Sequence, residues 1–458
     1  MATTVVLCNR DLRLHDHPAL TAACRDAERV VVLFVLDDAL LASRYAAPNR
    51  VAFLLEALAD LRAGLRARGS DLVVRRGDTV DEVDRLVSAT GATRLHVSGD
   101  VSAHAVRRQD ALARLARAHG CAFEIHPGVT VVEPGAVTPT GGGAYQVFTP
   151  YWRRWSAQPR RPLAPAPEAL PPPAAVPPGE IPPLGDLVAG PTSPHRSRGG
   201  ETEGLARLER WLDGGIGDYD AGRDRLADEA TSRLSADLHF GCVSPTEVVA
   251  RLDRRRSGHE PFLRQLCWRE FNHQLLASRP DLVTEDLRPR GDDWDEDPEA
   301  VAAWKEGRTG YPVVDAGMRQ LRDEGFMHNR ARMLTASFLT KHLYVDWRVG
   351  AWHFMDWLVD GDLANNFAQW QWVAGTGNDS RPNRVLNPVT QGERHDPHGT
   401  YVRRYVPELA GVDDALVHAP WRAGGAAPAA GYPPPLVDHA EARARFLELR
   451  GRGGGAGH

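Results

Sequence analysis

Short apolar runs and helical spacing alternate through the first 130 residues. The runs are Val5–Cys8, Val30–Leu36, Leu72–Arg75 and Leu95–Ser98, aliphatic and β-branched with almost no polar interruption. Between them lie segments such as Ala52–Leu65, with leucines at 54, 55, 58, 61 and 65. Near-continuous apolar strands alternating with helices predict a parallel sheet covered on both faces. No GxGxxG or GxxxxGK[ST] follows any of these runs, so the usual dinucleotide and P-loop fingerprints are absent. The charged stretch Asn9–Arg13 follows the first strand, where open α/β sheets place ligands. A solvated loop is the alternative.

From Val129 the alternation fails, and residues 159–195 carry thirteen prolines. Proline removes backbone donors and fixes extended conformations, so this stretch reads as an interdomain connector. From about Glu201 helical spacing takes over, with Leu205, Leu208 and Leu212 on one stripe. Ser244-Pro245-Thr246-Glu247 is a helix start, with a serine cap, proline at the first position and glutamate at the third. The expected architecture is an α/β N-terminal domain with a Rossmann-like parallel sheet over 1–130 and a connector over 131–198. An all-α domain over 199–450 and a disordered Gly-rich tail over 451–458 complete it.

Composition narrows the classes. The chain has 458 residues and a net charge of −5, with only two lysines, Lys305 and Lys341. Any nucleic-acid contact must therefore come from a local arginine patch. The five cysteines are scattered without a CxxC pair, which argues against a disulfide framework, a zinc knuckle or an iron–sulfur cluster. No metal centre is expected. The N-terminus lacks an export signal and no run of about 18 apolar residues occurs, which predicts a reduced, cytoplasmic setting.

Nine of the twelve tryptophans lie beyond residue 260, and candidate chemistry gathers there. Asp360–Trp372 (DGDLANNFAQWQW) combines acids, amides and indoles, which suit a large polar aromatic cofactor; the alternative is an acidic loop before a core helix. Thr231-Ser232-Arg233-Leu234-Ser235 offers hydroxyls and a guanidinium at a helix start, an anion site or ordinary capping. In Phe262–Leu276, Leu263, Cys267, Phe271 and Leu275 form an apolar stripe, and Trp268 falls off it beside Arg264, Gln265 and Asn272. It is either a stacking platform for a base or a rim tryptophan. Met327–Met333 (MHNRARM) adds two arginines. Arg223, Arg381, Arg384, Arg394, Arg403 and Arg404 make a DNA-binding patch only if they share a face with Arg330.

These residues resemble the photolyase/cryptochrome flavoproteins, most closely the bacterial class I cyclobutane-pyrimidine-dimer DNA photolyases. The resemblance runs almost end to end, through NRDLRLHDHPAL (9–20), VFTPYWRRW (147–155), TSRLS (231–235) and WREF (268–271). It continues through GYPVVDAGMRQL (310–321), MHNRARM, DGDLANN (360–366) and TGNDSRPNRVLNP (376–388). It implies an antenna-chromophore domain followed by a helical domain that binds FAD. By the family pattern Tyr219, Thr231, Ser232, Arg233, Leu234 and Ser235 hold the diphosphate region. Arg332 pairs with Asp360 beside the flavin, Gly361 and Asp362 contact the cofactor, and Asn366 faces flavin N5. Trp370, Trp347 and Trp294 match the family's electron chain. Arg223, Gln265, Trp268, Arg269, Asn272, Asn329, Arg330, Met333, Arg384 and Gln391 match its lesion and DNA contacts.

The activity implied is light-driven repair of pyrimidine dimers in UV-damaged DNA by a monomer without protein partners. Asn329 and Met333 follow the cyclobutane-dimer pattern and not the (6-4) pattern. Gln265 stands where many members carry glutamate; an amide can still donate to a thymine carbonyl but lacks the charge. Folate-binding members carry glutamate where this chain has Val106. The resemblance therefore points to 8-hydroxy-5-deazaflavin as antenna, with methenyltetrahydrofolate second, and to Arg50 and Asp100 as antenna contacts. The alternative activity is a cryptochrome-type light sensor that binds FAD without repair.

Overall fold

Five parallel strands, β1 (Thr3–Leu7), β2 (Arg29–Asp37), β3 (Leu72–Gly77), β4 (Arg94–Ser98) and β5 (Ala122–His126), pair in the order β3-β2-β1-β4-β5. The computed structural model describes residues 2–423 and 431–453. The four apolar runs coincide with β1 to β4 within two residues at each end. The fifth strand is new. Its sequence, AFEIH, mixes apolar and charged residues because β5 is an edge strand, with Ile125 53% exposed.

Strand side chains alternate between two cores. Val6, Val30, Val32 and Leu72 pack with the helices Pro18–Asp26 and Pro48–Arg66. Val5, Leu7, Val31 and Val97 pack with the helices Thr79–Thr90 and Ala103–Ala118 on the other face. Phe53, Leu58 and Leu65 are fully buried, each worth about 1.5–3 kcal/mol relative to exposure. The strand order reverses between β1 and β4, so a crevice opens beyond the carboxyl ends of those two strands.

The proline-rich stretch runs as a strap over the sheet domain. Its carbonyls accept where its prolines cannot donate: Pro172 O from Val30 N at 3.3 Å and Pro178 O from Val74 N at 2.7 Å. The second bond covers the open edge of β3. Within 131–198 one α-helix forms, Phe148–Ser156, and its Phe148, Tyr151 and Trp155 belong to the helical core.

The helical half sits on the loop that follows β1. Arg10 Nε donates to His239 O at 2.9 Å and Arg13 Nη1 to Gly241 O at 2.9 Å. Leu14 N and His15 N both donate to Glu201, each at 2.8 Å. Gly241 adopts φ 71° against the backbone of Arg10 and Asp11, where a side chain would collide. Ser244 caps the helix Pro245–Arg251 as its sequence predicts, accepting from Thr246 N and Glu247 N.

The last helix, His439–Gly453, corrects the expected tail: helical hydrogen bonding continues through 451–453. Residues 454–458 lie outside the described residues. No helix among the described residues is long and apolar enough to cross a membrane.

Candidate functional site

Three segments far apart in sequence converge on the ring of Phe326. The Arg233 guanidinium lies 4.5 Å from its centroid and that of Arg332 5.6 Å. Arg332 Nη2 in turn pairs with Asp360 at 2.9 Å, and Arg233 pairs with Glu324. The hydroxyl-rich 231–235, MHNRARM and the DGD loop thus meet at one place. Phe326 itself carried no signal in the sequence. Arg233 holds φ 51°, one of three non-glycine residues with positive φ among the described residues. Such strain persists only where surroundings over-determine it, and it concentrates at functional sites. Thr231 and Ser232 are half-buried and Ser235 is exposed, leading into the short helix Ser235–Phe240. Tyr219 is buried edge-on against Trp211 and Phe262, both at 5.4 Å.

The two acids of the DGD loop face different ways. Asp360 meets Arg332, whereas Asp362 caps the helix Leu363–Ala374 and turns to the sheet domain, where Arg10 Nη2 lies 2.6 Å away. His239 and His273 approach the same carboxylate at 3.5 Å. Burial alone would raise its pKa, but Arg10 and the two histidines hold the Asp362 carboxyl well below the usual carboxylate range. Gly361 lies between them, packed on the Arg50 guanidinium where a Cβ has no room. Asn366 is buried in that same helix, and its Nδ2 donates to Ala351 O at 3.0 Å. That bond orients the amide so that its oxygen is available as an acceptor.

Gly361 and Asp362 also line the crevice at the switch of strand order, a cavity of about 290 Å³. Its apolar wall includes Phe34, Leu36 and Leu54; Asn9 and Arg10 follow β1, and Asp100 and Ser102 follow β4. Arg50 and Asp100, expected together from sequence, both line it. Arg50 spends its donors on main-chain carbonyls, Tyr45 O at 2.6 Å and Leu358 O at 2.9 Å, with Met355 O a third. Burial lowers its pKa to about 10. This guanidinium joins the two halves of the chain.

A second, smaller cavity lies between Trp268 and Trp372, with Asn272, Gln369 and Asn378 on its wall. One face of Trp268 stacks flat on Phe148, centroids 3.8 Å apart and planes 4° apart, which fixes the indole and leaves its other face. Both amide atoms of Asn378 are buried without a protein partner. Buried polar groups are nearly always satisfied, so this amide waits for a ligand or water. Trp372 and Asn378 are the residues that sequence reasoning missed. They stand in the quoted stretches, but nothing local marks them apart from their neighbours.

The remaining expected DNA contacts divide. Gln265, Asn329 and Arg384 are exposed, and Arg223, Met333 and Gln391 half-buried. Asn329 Nδ2 and Arg330 Nη1 both approach Met333 Sδ, at 3.9 and 4.0 Å, and Arg330 pairs with Asp224 at 2.6 Å. Arg269 is turned inward, donating to Val129 O at 2.8 Å and Leu238 O at 3.1 Å. Asn272 is buried and donates to Asn365 Oδ1 at 2.9 Å. Trp370 and Trp347 are buried and Trp294 half-buried.

His328 ties this site to pH. Its Nδ1 accepts from Arg330 N at 3.1 Å and so caps the helix Asn329–Ser337. Burial lowers its pKa to about 4; Asp224 opposes the shift and Arg330, Arg233 and Arg332 add to it. The ring is neutral in the folded chain, whereas unfolded histidine takes up its proton near pH 6.5. Its stabilisation is therefore complete above about pH 6.5 and is lost as pH falls towards about 4, on the order of 3 kcal/mol in all. The thermal midpoint should drop across that window, and the drop should be shallower in His328→Asn, which keeps an acceptor at the cap.

Comparison with known proteins bears on both halves. Residues 4–173 match the family model described as DNA photolyase, and residues 262–451 match the FAD binding domain of DNA photolyase. A deoxyribodipyrimidine photo-lyase from Streptomyces griseus is 53% identical, covering 98% of this chain and 100% of that protein. A bacterial class III photolyase from Agrobacterium tumefaciens superposes with a TM-score of 0.93 at 35% identity, over 99% of this chain and 98% of its own. An archaeal photolyase from Sulfolobus tokodaii, solved with two FAD molecules, gives 0.86 at 30% identity, over 98% of this chain and 100% of its own. Likeness of this extent, across both the sheet and the helical half, makes the chain a member of the photolyase/cryptochrome family.

Proposed function

We propose that this chain repairs cyclobutane pyrimidine dimers in DNA in a light-dependent lyase reaction that uses FAD. The observation that carries the reading is the pair of indoles, Trp268 and Trp372, on the wall of one small cleft together with the unpartnered Asn378 amide. Two joined pyrimidines present flat faces and an edge of alternating carbonyls and N–H groups. Indoles and an amide are the complementary surfaces. Bound reduced FAD would supply, on excitation, the electron that opens the cyclobutane ring and would take it back afterwards.

The protein's own residues do the positioning. Trp268, braced by Phe148, stacks against the flipped lesion, and Gln265 at the rim donates to a pyrimidine carbonyl. Asn329, Arg330 and Met333 face the DNA; Arg223, Arg384 and Gln391 extend that contact. Thr231–Ser235 and Tyr219 hold the diphosphate region of FAD. The Arg332–Asp360 pair would sit beside the flavin, and the Asn366 oxygen would accept from N5–H, which favours the reduced form. Trp370, Trp347 and Trp294 would carry electrons inward to restore it.

The crevice beyond β1 and β4 takes a second, light-gathering chromophore. Its apolar plates and its Arg10–Asp100 rim favour a flat deazaflavin, 8-hydroxy-5-deazaflavin, over methenyltetrahydrofolate. The chain acts as a monomer in the cytoplasm, on damaged DNA alone.

The deciding experiment is repair of a thymine-dimer oligonucleotide by purified, reduced protein under blue light against a dark control. Dimers should disappear only in the light, which also shows that Gln265 is tolerated. No repair, with reduced FAD verified by absorption, would favour a cryptochrome-type sensor. Trp268→Ala should weaken binding of dimer-containing DNA by about 1–3 kcal/mol in a fluorescence titration, the worth of one base–aromatic stack. Unchanged affinity would remove Trp268 from the lesion site.

A further inference from the structure

The edge of the sheet carries a cluster that light-driven repair does not use. In the β4–β5 register His96 lies opposite Glu124, and Ser98 opposite His126. Strand side chains alternate, so His96, Glu124 and His126 emerge on one face. His96 is buried, His126 half-buried, and the Glu124 side chain 42% exposed.

The ligand atoms form a closed triangle. His96 Nδ1 and His126 Nε2 are 2.7 Å apart, and Glu124 Oε2 lies 3.8 Å from each nitrogen. The point equidistant from all three, fixed by those sides, is about 2.0 Å from each atom. Zinc bonds to imidazole nitrogen at roughly 2.0–2.1 Å and to carboxylate oxygen at roughly 2.0–2.2 Å. A tetrahedral ion would spread the two nitrogens to roughly 3.3 Å, and because the rings now meet edge to edge, centroids 4.9 Å apart and planes 24° apart, both imidazoles would turn to aim at it.

A proton shared between the two imidazoles accounts for their 2.7 Å contact but not for the carboxylate. At 3.8 Å from both nitrogens, Glu124 Oε2 is beyond hydrogen-bond reach of either. A cation at the centre satisfies all three groups. The other carboxylate oxygen faces Arg94 Nη1 at 3.6 Å, which orients the group and leaves Oε2 towards the histidines.

We propose that His96, Glu124 and His126 bind one zinc-class divalent cation, with water completing the coordination on the exposed side. The ion clamps the edge strand β5 to β4. His126 O accepts from Gly99 N at 2.9 Å, so the clamp sits directly behind Asp100 in the crevice wall. It is a structural site, separate from the redox chemistry.

The test is equilibrium dialysis of the full-length, FAD-loaded protein against Zn²⁺, with metal determined by elemental analysis. Wild type should retain one equivalent at micromolar free Zn²⁺, and that equivalent should raise its thermal midpoint. Losing even an outer-sphere partner costs about 10–100-fold in affinity, so His126→Ala and Glu124→Gln should each weaken binding at least about tenfold. His126→Cys, which keeps a ligand, should retain the equivalent. Both weakened variants should keep their FAD absorption, which separates loss of metal from loss of fold. A wild type that retains no zinc, or variants that retain it as wild type does, would overturn the assignment.

Discussion

Replacing Trp370 with phenylalanine is expected to abolish light-driven reduction of oxidised FAD while leaving repair by chemically pre-reduced protein at its normal rate. Trp370 is 3% exposed and packed edge-on against Phe354 at 4.9 Å and Trp304 at 6.1 Å. Its indole also fills the space that a side chain at Gly350 would take. Phenylalanine keeps most of these contacts, so the stability cost stays below the roughly 3–5 kcal/mol of truncation to alanine. It lacks the easily oxidised indole. Trp347 is wholly buried, with Nε1 donating to Asp286 at 2.9 Å, and Trp294 is half-buried against Tyr344 at 4.9 Å. Interrupting the innermost member should therefore isolate the flavin from the surface. Absorption during illumination with an external donor reads the first half of the expectation, and dimer repair after dithionite reduction the second. Normal photoreduction in the variant would move the electron route elsewhere, with Trp304 the next indole to test.

Glu270→Ala is expected to cost at least about 3 kcal/mol of stability, since it orphans three buried donors at roughly 1–3 kcal/mol each. The carboxylate is 3% exposed and accepts from Trp155 Nε1 at 2.6 Å, Val132 N at 3.2 Å and Val131 N. The adjacent Arg269 takes the carbonyl of Val129 at 2.8 Å. Two consecutive side chains thus grip residues 129–132 from the helix His259–Ser278, the helix that carries Trp268. Trp155 is itself covered by the Arg160 guanidinium at 4.0 Å. Glu270→Gln keeps one carbonyl oxygen and nearly the same volume, so its loss should be smaller. Urea unfolding followed by circular dichroism measures both variants. An unchanged midpoint for Glu270→Ala would mean that water replaces the carboxylate and that the grip contributes nothing.

Much of the architecture was local information. β1 to β4 were legible because each carries an apolar run buried between the two helical layers, which in the edge strand β3 is Leu72–Val74, and helices such as Pro48–Arg66 because one stripe faces the sheet. β5 was not, since an edge strand keeps one side in water and tolerates glutamate and histidine. The family was legible in ordered motifs, and with it the expectation of FAD.

What those motifs could not convey was which groups face each other. Asp360 and Asp362 stand two apart and suggested one site, yet one meets Arg332 and the other Arg10, 352 residues away in sequence. Arg269 sits in a matched motif but donates to main-chain carbonyls, because its position on the helix points it inward. Trp372 and Asn378 gained meaning only when folding placed them across a cavity from Trp268. Scattered cysteines argued against thiolate zinc motifs, but they say nothing of His96, Glu124 and His126, whose juxtaposition is set by strand register. Periodicity and composition act over one or two turns of chain, so most of the elements and the family were legible without the fold. Register, crossing helices and burial act between distant segments, so the tertiary structure alone decided which residues share a site.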